Sequence, residues 1–234
     1  AALGVGVLLL GTVWGSGLAQ KRPAKPAGTA AGKPASPASP GSWLQWGGPN
    51  RDFNIVAPAL SVTWPEAGPR QLWARAPGEG HSAILADGGR LYTMYSAGDQ
   101  ETIVALDAAT GRTLWEFSYG APRKGLNLGE GPGPHSTPLI VGNLLYAVGM
   151  KGTMHAVDKL TGKLAWKHEL WGEYKGAFVD RGYAPSPLAY RNTVIVPVGG
   201  GDGNQCLMAF DLRTGDVVWR NIGFKPAPAS PVVI

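Results

Sequence analysis

The stretch at 105–115 reads ALDAATGRTLW, and it returns as AVDKLTGKLAW at 156–166 and as AFDLRTGDVVW at 209–219. Each copy carries an Asp, a Thr-Gly pair and a final Trp at matching positions. Asp and Thr side chains accept backbone hydrogen bonds in tight turns, and Gly adopts the positive φ that such turns require. The phrase therefore predicts a tight turn between two strands, with the Trp on the second strand.

A longer repeat surrounds this phrase. Before each copy lies a β-rich run, and before that run a short apolar one. These runs lie at 89–96, 143–150 and 192–199, and at 82–85, 137–140 and 186–189. Each unit thus supplies four short strands joined by tight turns. Four antiparallel strands recurring at this spacing indicate an all-β fold, a β-propeller of four-stranded blades.

The chain holds three such units, and a fourth begins near its end, because Ser230-Pro231 matches Ser186-Pro187. The repeat predicts blades at 81–119, 135–170 and 185–223, with 226–234 opening the next blade. In this arrangement the repeated phrase joins the third and fourth strands of each blade.

The repeated phrase is interpreted as a device that docks one blade on the next. Its Asp, Thr and Gly shape the turn, and its Trp presents a large flat face to the neighbouring blade. The residues with these roles are Asp107, Thr110, Gly111 and Trp115; Asp158, Thr161, Gly162 and Trp166; and Asp211, Thr214, Gly215 and Trp219. This assignment places the phrase in the outer half of the blade, away from any ligand on the propeller axis.

The segment 1–19 predicts a signal peptide whose basic n-region is missing. It has an apolar core and ends in small residues, with Gly17 and Ala19 before Gln20. An uncleaved anchor is the alternative. Either reading places the domain outside the cytoplasm, periplasmic or secreted, and cleavage leaves no transmembrane span in the mature chain. Residues 20–42 are rich in Pro, Ala and Lys and predict a disordered linker, so the folded domain is expected at 43–234.

Four of the five net positive charges lie in that linker, which leaves the domain with a net charge of +1. Lys21, Arg22, Lys25 and Lys33 lie before residue 43, where there is no acidic residue. A nucleic-acid surface requires a basic patch on the folded domain, so no nucleic-acid partner is predicted. The single Cys206 excludes an intrachain disulfide.

The A-x-D-x-x-T-G-x-x-x-W phrase resembles the tryptophan-docking repeat of the pyrroloquinoline quinone (PQQ)-type β-propellers, in the quinoprotein alcohol dehydrogenase-like superfamily. The opening of the domain, SWLQWGGPNRDF at 42–53, is also similar to the start of many exported bacterial members. The resemblance covers 43–234. It implies seven or eight blades in the whole protein, of which this chain would be an N-terminal fragment. It further implies that 43–80 contains a ring-closing strand, LWARAP at 72–77, in the last blade.

Propeller ligands usually bind where the loops that precede the innermost strands converge. In this chain those loops are 78–82, 120–136 and 171–186, and we call them leading loops 1, 2 and 3. They are polar, and the residues predicted to face a ligand are Glu79, His81, Glu130, His135, Arg181 and Tyr183. No metal site is predicted from spacing alone.

His81 and His135 occupy equivalent positions in successive units, each directly before a Ser. Two imidazoles from adjacent blades could bind a metal, an anion or a quinone carboxylate. Alternatively, each His-Ser pair ties the start of an inner strand by hydrogen bonds. The third unit has Ala184 at this position, so no ring of histidines surrounds the axis.

Three functions remain open from the sequence. The first is an exported binding or scaffold propeller that takes a small molecule or a protein on its face. The second, implied by the resemblance, is a PQQ-dependent alcohol or sugar dehydrogenase that uses PQQ with Ca²⁺, in which the quinone accepts a hydride. The third is an outer-membrane protein assembly scaffold. The sequence favours the first, since no catalytic constellation is visible and Cys206 cannot form the adjacent-cysteine disulfide found in many quinoprotein alcohol dehydrogenases.

Overall fold

The computed structural model describes residues 41–56, 63–129, 131–176, 180–199, 206–222 and 228–233. The predicted signal peptide at 1–19, all but the last two residues of the predicted linker, and Glu130 lie outside these ranges. No helix in the described ranges is long and apolar enough to cross a membrane.

Three four-stranded antiparallel sheets follow one another along the chain, which confirms the predicted β-propeller blades. Blade 1 contains β1 (Leu85–Asp87), β2 (Arg90–Ala97), β3 (Gln100–Asp107) and β4 (Thr113–Gly120). Blade 2 contains β5 (Leu139–Val141), β6 (Leu144–Val148), β7 (Thr153–Asp158) and β8 (Leu164–Glu169). Blade 3 contains β9 (Leu188–Tyr190), β10 (Thr193–Pro197), β11 (Leu207–Asp211) and β12 (Val217–Asn221). One short helix, α1 (Leu170–Tyr174), follows β8.

The first strand of each blade is shorter than its apolar run and begins later. The registers align Leu85 with Leu139 and Leu188, because each pairs with the equivalent residue of the second strand. In this alignment Ala83 of blade 1 is equivalent to Thr137 of blade 2. The apolar runs alone, which begin at 82 and 137, suggest Ser82 instead. The middle strands are buried on both faces, so they are apolar runs without the alternation of a half-exposed strand.

The three Thr-Gly turns have the same hydrogen bonds. In the first, Asp107 Oδ1 accepts from the backbone N–H groups of Ala109 and Thr110 at 3.1 and 2.9 Å. The Thr110 hydroxyl donates to the same oxygen at 2.8 Å. These hydrogen bonds, with that of the Thr110 side chain first, lower the pKa of Asp107. Asp158 and Asp211 repeat the arrangement in blades 2 and 3.

Trp115 of blade 1 and Trp166 of blade 2 each pack on the Thr-Gly turn of the next blade. The indole N–H of Trp115 donates to the carbonyl of Lys159 at 2.9 Å, and that of Trp166 donates to the carbonyl of Leu212 at 3.0 Å. The apolar core is accordingly found between successive sheets, where Trp166 packs with residues of blades 2 and 3.

Trp73 takes the corresponding place on blade 1. Its indole N–H donates to the carbonyl of Ala108 at 3.0 Å, and its ring lies against Gly111. Residues 72–77 form no strand in the described part of the chain, so their assignment as a ring-closing strand stays a prediction. At the other end, Trp219 of β12 is 39% exposed.

Residues 43–53, which we call the channel segment, run along the inner strands of all three blades. Trp43 and Ala86 exchange two backbone hydrogen bonds of 2.8 and 3.0 Å. The N–H of Ile140 in β5 donates to the carbonyl of Leu44 at 2.8 Å. Arg51 Nη1 donates to the carbonyl of Pro187, just before β9, at 3.3 Å. The segment therefore contacts blades 1, 2 and 3 in sequence order, an arrangement that the strand repeat does not predict.

Candidate functional site

The starts of the inner strands are tied together by a row of hydroxyl groups, which we call the hydroxyl ladder (Thr137, Ser186 and Ser230). The N–H of Ala83 donates to Thr137 Oγ1 at 3.1 Å, and the N–H of Thr137 donates to Ser186 Oγ at 3.0 Å. The N–H of Ser186 then donates to Ser230 Oγ at 2.9 Å. Each blade is thereby bonded to the next one, just where a leading loop ends.

The structure brings His81 and His135 together on this side of the propeller, which we call the loop face. Their ring centroids are 4.8 Å apart and their planes are nearly perpendicular, at 83°. The backbone N–H of His81 donates to the carbonyl of Pro134 at 2.9 Å. His135 Nε2 lies 3.3 Å from the carbonyl oxygen of Gly131. The ring contact and the backbone hydrogen bond of His81 therefore join leading loop 2 to the start of blade 1.

Glu79 forms an ion pair with Arg123 of leading loop 2. The same guanidinium donates to Ser96 Oγ at 2.9 Å, and Glu79 and Ser96 also exchange backbone hydrogen bonds of 3.0 and 2.7 Å. The backbone N–H of Arg123 donates to Asp99 Oδ1 at 3.0 Å. Glu79 thus closes an internal network around the β2–β3 hairpin.

The remaining residues predicted to face a ligand are Glu130, Arg181 and Tyr183. Glu130 lies outside the described residues. Arg181 is exposed, in the described part of leading loop 3 at 180–186. Tyr183 has no exposed surface and packs in the core between blades 2 and 3, where burial raises the pKa of its hydroxyl. Tyr183 therefore does not present its ring to the loop face, because its aromatic surface is used in packing.

Leading loops 2 and 3 are bonded to each other. The backbone N–H of Asn127 donates to the carbonyl of Asp180 at 2.8 Å, and its side-chain amide lies 3.4 Å from Asp180 Oδ2. Lys151, in the β6–β7 turn, donates to the carbonyl of Lys124 at 3.1 Å. The two loops and this turn form one continuous surface.

Sequence reasoning missed a buried carboxylate beneath that surface. Glu101 in β3 has no exposed area. Its Oε1 accepts from the backbone N–H of Met150 at 2.9 Å, and its Oε2 accepts from the hydroxyl of Tyr119 at 2.8 Å. Burial raises the pKa of Glu101, while those two hydrogen bonds and the charge of Arg123 oppose the rise. The only sequence signal is a Glu where blade 2 has Gly152, at the start of the third strand.

His155 in β7 is a second buried titratable group that the sequence did not single out. It is 2% exposed, and its ring centroid lies 4.1 Å from that of Tyr119 and 5.2 Å from that of Phe117. Its Nδ1 has no hydrogen-bond partner among the described residues. Burial, together with the charge of Lys167, lowers the pKa of His155 to about 4.

A cavity of about 320 Å³ lies between the channel segment and the inner strand of blade 3. Its lining includes the side chains of Arg51 and Asn50, with Leu188 and Val232 opposite. The Arg51 guanidinium lies 5.6 Å above the ring of Trp46. The described residues provide no group of three His, Cys, Asp or Glu that could hold a metal ion.

The family comparison agrees with this architecture. A family model described as outer membrane protein assembly factor BamB matches residues 64–227. The outer membrane protein assembly factor BamB of Kangiella koreensis is 29% identical over 154 residues, which are 64% of this chain and 35% of that protein.

Dehydrogenases are similar over the same region. The quinohemoprotein alcohol dehydrogenase ADH-IIG of Pseudomonas putida is 26% identical over 150 residues, which are 63% of this chain and 20% of that protein. A solved structure of quinohemoprotein alcohol dehydrogenase ADHIIG from Pseudomonas putida HK5 matches with a TM-score of 0.55 at 21% identity, covering 77% of this chain and 26% of that one. This chain thus spans about a third of the length of the first relative and a fifth of the second. Since the family model matches more than half of the chain, the chain belongs to the PQQ-type β-propeller family that is described as outer membrane protein assembly factor BamB.

Proposed function

We propose that this chain is part of an exported binding or scaffold propeller, whose loop face binds a protein partner. The observation that carries the proposal is the joining of leading loops 2 and 3 into one surface through Asn127, Asp180 and Lys151. These hydrogen bonds fix the described parts of the two loops before binding, which lowers the entropic cost of docking a partner.

The composition of the loop face supports a protein partner. Exposed cations such as Lys124 and Arg181 lie beside the acid Asp180, so the surface carries both signs of charge. Mixed charge gives orientation and specificity in protein interfaces. The family description, an assembly factor for outer membrane proteins, is consistent with this class of partner, and it supports export together with the apolar segment at 1–19.

A PQQ-dependent dehydrogenase is the second candidate, because relatives with that activity in their names are similar over the same region. PQQ is a planar tricarboxylate, so its site needs several cationic or amide donors around a flat cavity. The 320 Å³ cavity offers one cation, Arg51, with the amides of Gln45 and Asn50. On the loop face, Arg123 is already paired with Glu79. With a single cation, the donor set of the 320 Å³ cavity does not fit PQQ.

The experiment is site-specific photo-crosslinking in the full-length protein within the cell envelope. A photoreactive residue replaces Lys124 on the loop face, and in a matched control it replaces Lys163, exposed in the Thr-Gly turn on the opposite side of blade 2. We expect position 124 alone to crosslink to a defined protein, which then binds the purified chain.

Crosslinks of equal pattern at both positions, or at neither, would contradict the proposal. Adding PQQ and Ca²⁺ to the purified full-length protein tests the second candidate, the dehydrogenase. Dye-linked alcohol oxidation would assign the dehydrogenase function instead.

A further inference from the structure

The β6–β7 turn at 149–152 lies at the centre of the loop face. The backbone of Met150 is held from two sides. Its N–H donates to Glu101 of blade 1 at 2.9 Å. Its carbonyl accepts from the N–H of Tyr183, in leading loop 3, at 2.9 Å. The next residue, Lys151, donates to the carbonyl of Lys124 in leading loop 2. One short turn therefore connects the carboxylate of blade 1 with both loops of the proposed binding surface.

The carboxylate is fitted closely to this turn. A Cβ atom on Gly149 would overlap Glu101 Oε2 and the hydroxyl of Tyr119. Gly149 is not among the positive-φ glycines, so the backbone itself would accept an alanine there. Glycine at this position is thus required by the space that Glu101 and Tyr119 occupy.

Burying a carboxylate in this space is energetically unfavourable compared with burying an apolar side chain. Removing a charge from water costs several kcal/mol, and an apolar side chain of similar volume is often as stable or more so. Glu101 accepts two hydrogen bonds, which offset part of that cost. An apolar residue could not hold the Met150 N–H, so the carboxylate specifies an arrangement that packing alone would leave open.

We propose that Glu101 is a positioning residue that fixes the 149–152 turn and, through it, the relative arrangement of leading loops 2 and 3. This inference rests on the proposed function, because it assigns the element that orders the binding surface. Glu101 acts through the turn and lies beneath the surface that the partner contacts.

The test combines amide hydrogen exchange with the crosslinking assay on the full-length protein. Glu101→Ala should speed exchange roughly tenfold at the amide of Tyr183, which donates to the Met150 carbonyl, and at the amide of Asn127, which joins leading loops 2 and 3. The amide of Gly162, bonded to Asp158 in the distant Thr-Gly turn, should keep its rate. Glu101→Gln retains an acceptor for Met150 and should restore exchange to within about twofold of the original rate. Glu116→Ala, which removes an exposed carboxylate of β4 in the same blade, is the matched control.

A second variant displaces the same carboxylate without removing it. Gly149→Ala should reproduce the effect of Glu101→Ala, and combining the two should add nothing, since the methyl group then enters the vacated space. Unchanged exchange at Asn127 and Tyr183 in Glu101→Ala, or an equal increase at Gly162, would overturn the inference.

The crosslink at position 124 separates this inference from the proposed function. If the parent protein gives no crosslink but Glu101→Ala loosens both loops, the proposed function fails and the positioning role stands. If the parent crosslinks and Glu101→Ala changes neither crosslink nor exchange, the positioning role alone fails.

Discussion

The ring of Trp115 lies so close to Gly162 that a Cβ atom on that glycine would stand 2.6 Å from the indole. Trp166 and Gly215 repeat this relationship with a closest approach of 2.8 Å, and Trp73 and Gly111 repeat it at 2.6 Å. The glycine of each Thr-Gly turn is therefore required twice. It adopts a positive φ, and it leaves room for the Trp of the preceding element.

Gly162→Ala should destabilise the fold much more than a glycine replacement that strains only the backbone. Gly142→Ala is the matched control, because Gly142 has φ +58 and open space around its Cα. We expect a cost of about 1–2 kcal/mol for the control, from the left-handed backbone alone. Gly162→Ala should cost about 2–4 kcal/mol, since overpacking against Trp115 adds to that strain. Urea unfolding measures both, and equal costs would contradict the docking role of the turn.

Ser186→Ala should show the contribution of the hydroxyl ladder. Ser186 is 3% exposed, and its Oγ accepts the backbone N–H of Thr137. Removing the acceptor leaves a buried N–H unpaired, which costs about 1–3 kcal/mol. Ser82→Ala, whose hydroxyl reaches only the carbonyl of Ala83 at 3.5 Å, is the control and should lie within about 0.5 kcal/mol of the parent. Thermal unfolding distinguishes them; a neutral Ser186→Ala would mean that the inner strands are held by other contacts.

His155 should make the stability fall in mild acid. The folded chain keeps this imidazole neutral with a pKa of about 4, below the value of 6.5 in the unfolded chain. Its contribution is therefore fully present above pH 6.5 and is lost as the pH falls from 6.5 towards 4, because the unfolded chain binds the proton first. The loss across that window is roughly 3 kcal/mol.

His155→Leu should flatten this part of the pH profile when the free energy of unfolding is measured between pH 7 and pH 4. Met154→Leu, a buried replacement next to His155 that removes no titratable group, should keep the slope of the parent chain. An identical slope in His155→Leu and the parent chain would show that other groups cause the acid sensitivity.

The pairing of His81 with His135 should appear as a coupling energy in a double-mutant cycle. Edge-to-face ring pairs contribute about 0.5–1.5 kcal/mol beyond their buried area. We therefore expect the two single alanine variants and the double variant to be non-additive by about that amount. Titration with Zn²⁺ by calorimetry tests the alternative role. Binding heat that both alanine variants abolish would assign a metal site to the pair.

The sequence predicted the outer half of each blade better than the inner half. The hydrogen bonds that shape the turn of Asp107, Thr110 and Gly111 join only neighbouring residues. The spacing of these residues in the sequence was therefore sufficient to predict the turn. The hydroxyl ladder depends on contacts between blades. The sequence contains a pattern that marks its residues, but that pattern predicted only where each repeat unit begins. The pattern is a Ser or Thr directly before Pro in Thr137-Pro138, Ser186-Pro187 and Ser230-Pro231.

The loop face was predicted less completely, for the same reason. His81 and His135 could be paired because they occupy equivalent positions in the repeat. Tyr183 could not be assigned to the core, because nothing in its local sequence distinguishes a packed ring from an exposed one. Glu101 breaks the repeat pattern, and its role depends on Met150, a residue of the next blade.

The channel segment has a consequence for the order of folding. Strands within a blade pair with their immediate neighbours in sequence, so the hydrogen bonds of each blade are able to form before the later blades are present. The contact between Arg51 and Pro187 spans 136 residues, and it has to wait until blade 3 exists. Closing so long a loop has a large entropic cost, which grows slowly with length. The end of the channel segment that carries Arg51 is therefore among the last parts of the domain to reach its native contacts, whereas Trp43 is able to pair with Ala86 as soon as blade 1 forms.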